Sequence, residues 1–168
     1  MREEHSLVLR PATAADITAI LELELQALTA AHWSEKQYAT MLANSGQASV
    51  RFAIVAEEPS DVHAGSKMES QSTVRAFLVA RNAGSEWELE NLVVAEACRR
   101  RGLGRRLIAE LIRQAQQSKA HSVFLEVRDS NQAARRLYEG MGFAIRGRRK
   151  GYYSAPDEDA LIYRLDLQ

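Results

Sequence analysis

Apolar residues recur along this 168-residue chain with two different periods, and the switches between them mark its elements. Leu7 to Arg10 reads as a short strand stopped by Pro11, whose ring removes a backbone donor. Ile17, Ile20, Leu21, Leu25 and Leu28 then fall on one face of a helix, introduced by Thr13 and Asp16 as a capping pair. Ser34 and Gln37 repeat that spacing ahead of a second helix carrying Tyr38, Met41 and Leu42, with a stop expected near Gly46. From Val50 the period drops to two: "VRFAIVAE", "TVRAFLVAR" and "EWELENLVV" read as an antiparallel meander, the last two strands joined by the turn "NAGS". Residues 58–72, polar and rich in Gly and Ser, are expected as a long mobile hairpin loop in which His63 is solvated.

The second half alternates helix and strand: a helix from Leu103 to Lys119, the strand "SVFLEVR", a helix from Asn131 to Met141, then the strands "FAIRGRRKGYY" and "ALIYRLDL". Together the two halves predict an α/β chain whose sheet is mixed, antiparallel at both ends. No internal repeat or low-complexity linker divides it, and the length suits one domain over residues 1–168.

Composition removes several classes of function. Lys plus Arg equals Asp plus Glu at 22 each, so the basic excess of a non-specific nucleic-acid binder is absent. A single cysteine excludes an internal disulfide and a multi-cysteine metal site. With no apolar signal core at "MREEHSLVLR" and no run long enough to span a bilayer, the expectation is a cytoplasmic protein without metal, nucleic-acid or membrane partners.

Candidate chemistry concentrates in "CRRRGLGRRL", Cys98 to Leu107, between a strand and a helix. Helix N-termini expose unpaired N–H groups and a partial positive charge, and glycines let backbone approach an anion closely, so a pyrophosphate ligand is the natural inference. The loop is not a Walker A motif, since no Lys-Ser or Lys-Thr follows, nor a dinucleotide fingerprint, since Leu107 stands where the third glycine belongs. On its own it also fits an ordinary capped helix start.

Followed by "LEVRDSNQAARRLYEGMGF", the loop resembles the acetyl-CoA-binding core of the GNAT acetyltransferase superfamily. Arg99, Gly102 and Gly104 fill its Gln/Arg-x-x-Gly-x-Gly/Ala pattern, and Asn131, Leu137, Tyr138, Gly142 and Phe143 its second motif. Within that superfamily the chain is most similar to the bacterial ribosomal-protein-alanine N-acetyltransferases of the RimI type, through "WSEK" at Trp33 to Lys36, "RGLGR", Leu125 to Arg128 with Asn131, and Tyr152, Tyr153, Asp159 and Ala160. The resemblance implies a single-domain GNAT fold: a mostly antiparallel sheet with a central parallel splay and flanking helices. It implies acetyl-CoA as acetyl donor, with its pyrophosphate on the loop Arg99, Arg100, Arg101, Gly102, Leu103, Gly104 and Arg105, its thioester carbonyl on Leu92, Val93 and Val94, and Asn131 as a further contact. Of the arginines, Arg100 and Arg105 are expected on phosphate and Arg106 as a bystander.

The same resemblance implies Glu126 as catalytic base and Tyr138 as acid. The chemistry asks for both, since an ammonium must lose a proton before it attacks and a departing thiolate benefits from gaining one. Glu126 is a charge between Leu125 and Val127 in a strand, a costly place without a role, although pairing with Arg128 would also explain it. Tyr138 has its own alternative as a packed core residue. Glu90 is a second candidate base: many GNAT enzymes keep one on this strand, while the RimI pattern usually has an apolar residue there. The Arg146, Arg148, Arg149 and Lys150 cluster reads as a solvated strand edge.

The implied acceptor is the N-terminal α-amine of a protein, a ribosomal-protein alanine, drawn toward the acidic turn "SAPDEDA" and toward Glu88 and Glu90. The partners are then acetyl-CoA and that amine, and the protein a monomer or homodimer. His32 stands where the family usually has Pro before Trp33, and with Glu90 this keeps open a small-molecule amine as acceptor. A non-catalytic acyl-CoA-binding module is the alternative of another class.

Overall fold

A computed structural model describes residues 7–27, 29–43, 51–58 and 74–168; Leu28, Gly46, Val50 and the loop containing His63 lie outside the described residues. Seven strands form one sheet in the order β1-β2-β3-β4-β5-β7-β6. They are β1 (Val8–Pro11), β2 (Arg51–Glu57), β3 (Val74–Asn82), β4 (Glu86–Val94), β5 (Ser122–Arg128), β6 (Ala144–Tyr153) and β7 (Glu158–Asp166). The helices are α1 (Ile17–Leu25), α2 (Glu35–Ala43), α3 (Leu103–Gln117) and α4 (Gln132–Glu139). β4 and β5 run parallel and every other neighbouring pair is antiparallel: a mixed sheet with antiparallel ends, as the hydrophobic pattern predicts, and with the central parallel splay that the GNAT resemblance implies.

The sheet divides two cores. On one side Trp87, Leu89, Val123 and Leu125 pack against Leu107, Ile108 and Leu111 of α3 and Tyr138 of α4. On the other, Val55, Phe77, Val79 and Val93 pack against Ile20 of α1 and Tyr38 of α2. In α3 the buried stripe Leu103, Leu107, Ile108, Leu111 and Ala115 is what fixes the helix on the sheet, each large apolar residue contributing about 1.5–3 kcal/mol on burial.

Three expectations need correction. Pro11 is the last residue of β1 rather than the first beyond it, which an edge strand permits because its outer face needs no donor. Leu25 is 77% exposed, and the buried stripe of α1 runs instead through Ile17, Ile20 and Glu24. The helical rotation of 100° per residue places Glu24 in line with that stripe and turns Leu25 off it. The strict alternation read into "EWELENLVV" also fails: Val79 faces Asn91 while Ala80 faces Leu89, so Glu90 is an extra residue in β4, a β-bulge.

Candidate active site

The bulge decides where the sheet opens. β4 and β5 pair from Glu86↔Ser122 to Leu89↔Leu125 and then part, leaving Asn91 to Val94 and Glu126 to Arg128 as the two arms of a fork. Asn91 donates 2.6 Å to the buried Glu24, whose Oε1 also accepts from the Tyr38 hydroxyl at 2.7 Å. A carboxylate taken from α1 is thereby used to hold the start of the β4 arm. Ala95 N–H donates to Arg75 O across β3, so by the two-residue alternation Val93 also turns its backbone toward β3. The N–H groups of Leu92 and Val94 face the fork.

The arginine-glycine loop lies at the end of that arm. Arg100 and Gly102 have φ of 59° and 82°, the left-handed region, and α3 starts immediately after Gly102. The first helical donor with a partner is Arg106, bonded to Gly102 O, and the N–H groups of Arg100 to Arg105 have no acceptor among the described residues. A concave row of unpaired amides at a helix start suits a pyrophosphate. Gly104 sits where a Cβ would come within 2.9 Å of Leu137, so α3 and α4 touch at this position. The arginines divide by occupation. Arg106 donates to Leu7 O at 2.7 Å, Arg105 to Gly140 O at 2.7 Å and Arg99 to Val94 O at 3.2 Å, while Arg100 and Arg101 are exposed.

Tyr138 of α4 is buried in the core on the α3 side of the sheet. Its ring packs with Phe143 at 6.0 Å and Tyr163 at 6.2 Å, and its hydroxyl takes no hydrogen bond among the described residues. Burial, with Tyr153 nearby, pushes the phenol well above its ordinary range, so it keeps its proton. Asn131 is the N-cap of α4, its side chain accepting 3.2 Å from Ala134 N–H and donating 3.5 Å to Thr29 Oγ1.

Glu126 is the first residue of the β5 arm beyond the paired segment. Because Leu125 and Val127 are buried against α3, alternation sends Glu126 to the opposite face of the sheet. Its Oε1 accepts 2.6 Å from Arg149 of the edge strand β6, not from Arg128, which pairs with Glu158 at 3.2 Å. Hydrogen bonding to Glu126, helped by burial, also raises the pKa of Tyr152. Glu90 accepts both bonds of an Arg51 fork, at 2.8 and 2.9 Å, and Arg51 lies 5.3 Å over the Trp33 ring.

Arg149 and Arg51 escape a sequence reading because each pairs across many intervening residues. Arg149 has one sequence signal, the basic run in β6, which proves ion-paired rather than merely solvated: Arg148 holds Asp159 and Asp129, and Arg146 holds Asp166. Two of the three acids of the acidic turn, Glu158 and Asp159, are likewise paired. Among the described residues, no group of three or more His, Cys, Asp and Glu side chains could hold a metal ion.

A model of the acetyltransferase (GNAT) family matches residues 18–143. The ribosomal protein bS18-alanine N-acetyltransferase of Escherichia coli (strain K12) is 32% identical over 154 residues, covering 90% of this chain and 92% of that protein. The N-alpha-acetyltransferase RimI of Mycobacterium tuberculosis is 39% identical over 88 residues, 52% of this chain and 54% of that one. The crystal structure of the ribosomal-protein-S18-alanine N-acetyltransferase from Escherichia coli aligns with a TM-score of 0.74 at 28% identity, over 97% of this chain and 95% of that chain. The fold, the family match and this near full-length likeness agree: the chain belongs to the GNAT acetyltransferase family and is an N-acetyltransferase that takes its acetyl group from acetyl-CoA.

Proposed function

We propose that the chain acetylates the N-terminal α-amine of a protein, an N-terminal alanine foremost, with Glu126 as base and Tyr138 as acid. The acceptor assignment is carried by the 32% identity over 90% of the chain to an enzyme named for that acceptor. The division of labour is supported by Glu126 and Tyr138 lying on opposite faces of the sheet. Acetyl-CoA supplies an activated acyl carbon and a thiolate leaving group. The unpaired amides of Arg100 to Arg105 are placed to bind its pyrophosphate, with the exposed Arg100 the best-placed side chain to assist.

Leu92 and Val94 N–H groups, without an acceptor on the fork side among the described residues, would polarise the thioester carbonyl and stabilise the oxyanion formed on attack. Glu126 removes the ammonium proton, directly or through water, so that the nitrogen lone pair is available. Tyr138, still protonated, delivers its proton to the departing sulfur. Asn131 Nδ2, in only a long bond to Thr29, is left to contact the pantetheine side. Glu90 is the weaker candidate for the base because both its oxygens are committed to Arg51.

A thiol-release assay with acetyl-CoA tests this reading across alanine-starting peptides and free amines. Turnover of the peptides is expected; turnover of small amines with none on any peptide overturns the acceptor assignment.

A further inference from the structure

The carboxylate assigned as base already carries a cation. Arg149 Nη1 donates 2.6 Å to Glu126 Oε1, and its guanidinium lies 4.8 Å over the ring of Tyr152, whose phenol pKa is raised by the same Glu126. We propose that Arg149 is a specificity-determining residue that stands in for the acceptor ammonium on Glu126, so that an amine enters by displacing it. The proposal rests on the reading that Glu126 receives the amine.

Three observations carry it. First, the backbone is built to present Arg149. The β6–β7 register runs from Arg149↔Ala160 directly to Tyr153↔Glu158, leaving Lys150, Gly151 and Tyr152 opposite a single residue, Asp159. Gly151 takes φ of 58° in this bulge, and its N–H donates 2.9 Å to Asp159. The bulge lets Arg149 and Tyr152, three positions apart, both reach Glu126, which regular alternation would not.

Second, the pair is asymmetric. The Arg149 side chain is 53% exposed and that of Glu126 18%, so the guanidinium can move to water while the carboxylate stays at the fork. A pair that open to solvent is weak and exchangeable. A cation can replace a cation there at little cost, whereas a neutral amine would leave Glu126 half-buried without its counter-charge. The site therefore selects an acceptor that arrives protonated and loses its proton after docking.

Third, the neighbouring carboxylate shows the opposite construction. Glu90 is 12% exposed, held through both oxygens by Arg51, which is itself placed over Trp33. Both arginines lie over a ring, so the difference is the bidentate hold on Glu90, which resists exchange where the single bond to Glu126 does not. Of the two carboxylates flanking the fork, Glu126 carries the partner that can leave.

The test compares wild type with Arg149→Gln, Arg149→Lys, Glu126→Gln and the Glu126→Gln/Arg149→Gln double variant. KM and kcat are read by thiol release with an alanine-starting peptide, or with whichever amine the enzyme turns over. Peptide affinity for the CoA-loaded protein is read by calorimetry. Arg149→Gln is expected to tighten acceptor binding about three-fold, seen in both KM and affinity, because the internal competitor is gone. Arg149→Lys should return acceptor affinity toward wild type. In the Glu126→Gln background the gain should vanish. Unchanged or weakened acceptor binding in Arg149→Gln overturns the proposal, as does an equal gain with Glu126→Gln. The base assignment fails on a different number: a Glu126→Gln variant that keeps its kcat removes the base while the affinity comparison still judges displacement.

Discussion

The two approaches to the fork are built on opposite rules. On the donor approach, the backbone of Arg100 to Arg105 is left with unpaired N–H groups and takes its shape from two left-handed residues and a helix start. On the acceptor approach, Glu126, Glu90 and Glu88 are each already engaged by an arginine, Arg149, Arg51 and Arg81. On the proposed reading the donor side binds with main chain, which side-chain substitution changes little. The acceptor side is decided by side chains, in pairs that differ in how readily they exchange. The family-wide reaction and the enzyme-specific choice of amine are thereby assigned to physically different material.

The sharpest way to break that contrast is at Glu126. Glu126→Gln is expected to lower kcat about 10²–10⁴-fold, the range general-base catalysis commands, with Glu90→Gln costing less than about ten-fold. A reversal of the two in steady-state assays would move the base to β4. Tyr138→Phe should lower kcat about 10–100-fold with the KM for acetyl-CoA held, since the ring keeps its packing on Phe143 and Tyr163. Because burial raises the Tyr138 pKa, the wild-type kcat should show no alkaline fall from this group within the ordinary phenol range near pH 10. Gly102→Ala tests the main-chain half. With φ at 82°, a Cβ there costs about 1–2 kcal/mol of strain, to be read as a lowered melting temperature and a raised KM for acetyl-CoA. An unchanged KM would argue that the loop amides do not hold the pyrophosphate. The smallest effects belong to single arginines: Arg100→Ala should raise the KM for acetyl-CoA about two- to five-fold, whereas Arg106→Ala, tied to Leu7 O, should lower the melting temperature and leave that KM in place.

The same division explains what could be read from sequence. The strands, helices and their order follow from apolar periods and turn residues, which are local signals. The glycine loop and the "LEVR" strand announce themselves because a site made by consecutive residues leaves a compact pattern. The Glu90 bulge does not, since it exists only relative to β3, and "EWELENLVV" looks regular until Val79 and Ala80 are set beside it. Glu24 was missed because a helix tolerates a buried acid only when partners arrive from elsewhere, here Tyr38 and Asn91. Arg149 reads as an edge charge in the sequence because its partner lies 23 residues earlier and two strands away.

One consequence of the bulge concerns counting. Either side of Glu90 the β4 side chains alternate normally, with Leu89 toward α3, Asn91 toward α1, and Leu92 again toward α3. Removing Glu90 would change the facing of no other residue in the strand. What would go is the kink, and with it the reason for β4 to leave β5 after Leu89. The opening between β4 and β5, where the proposed reading brings both substrates, is thus a surplus of one amino acid, a strand made slightly too long for its neighbour so that the sheet never finishes closing.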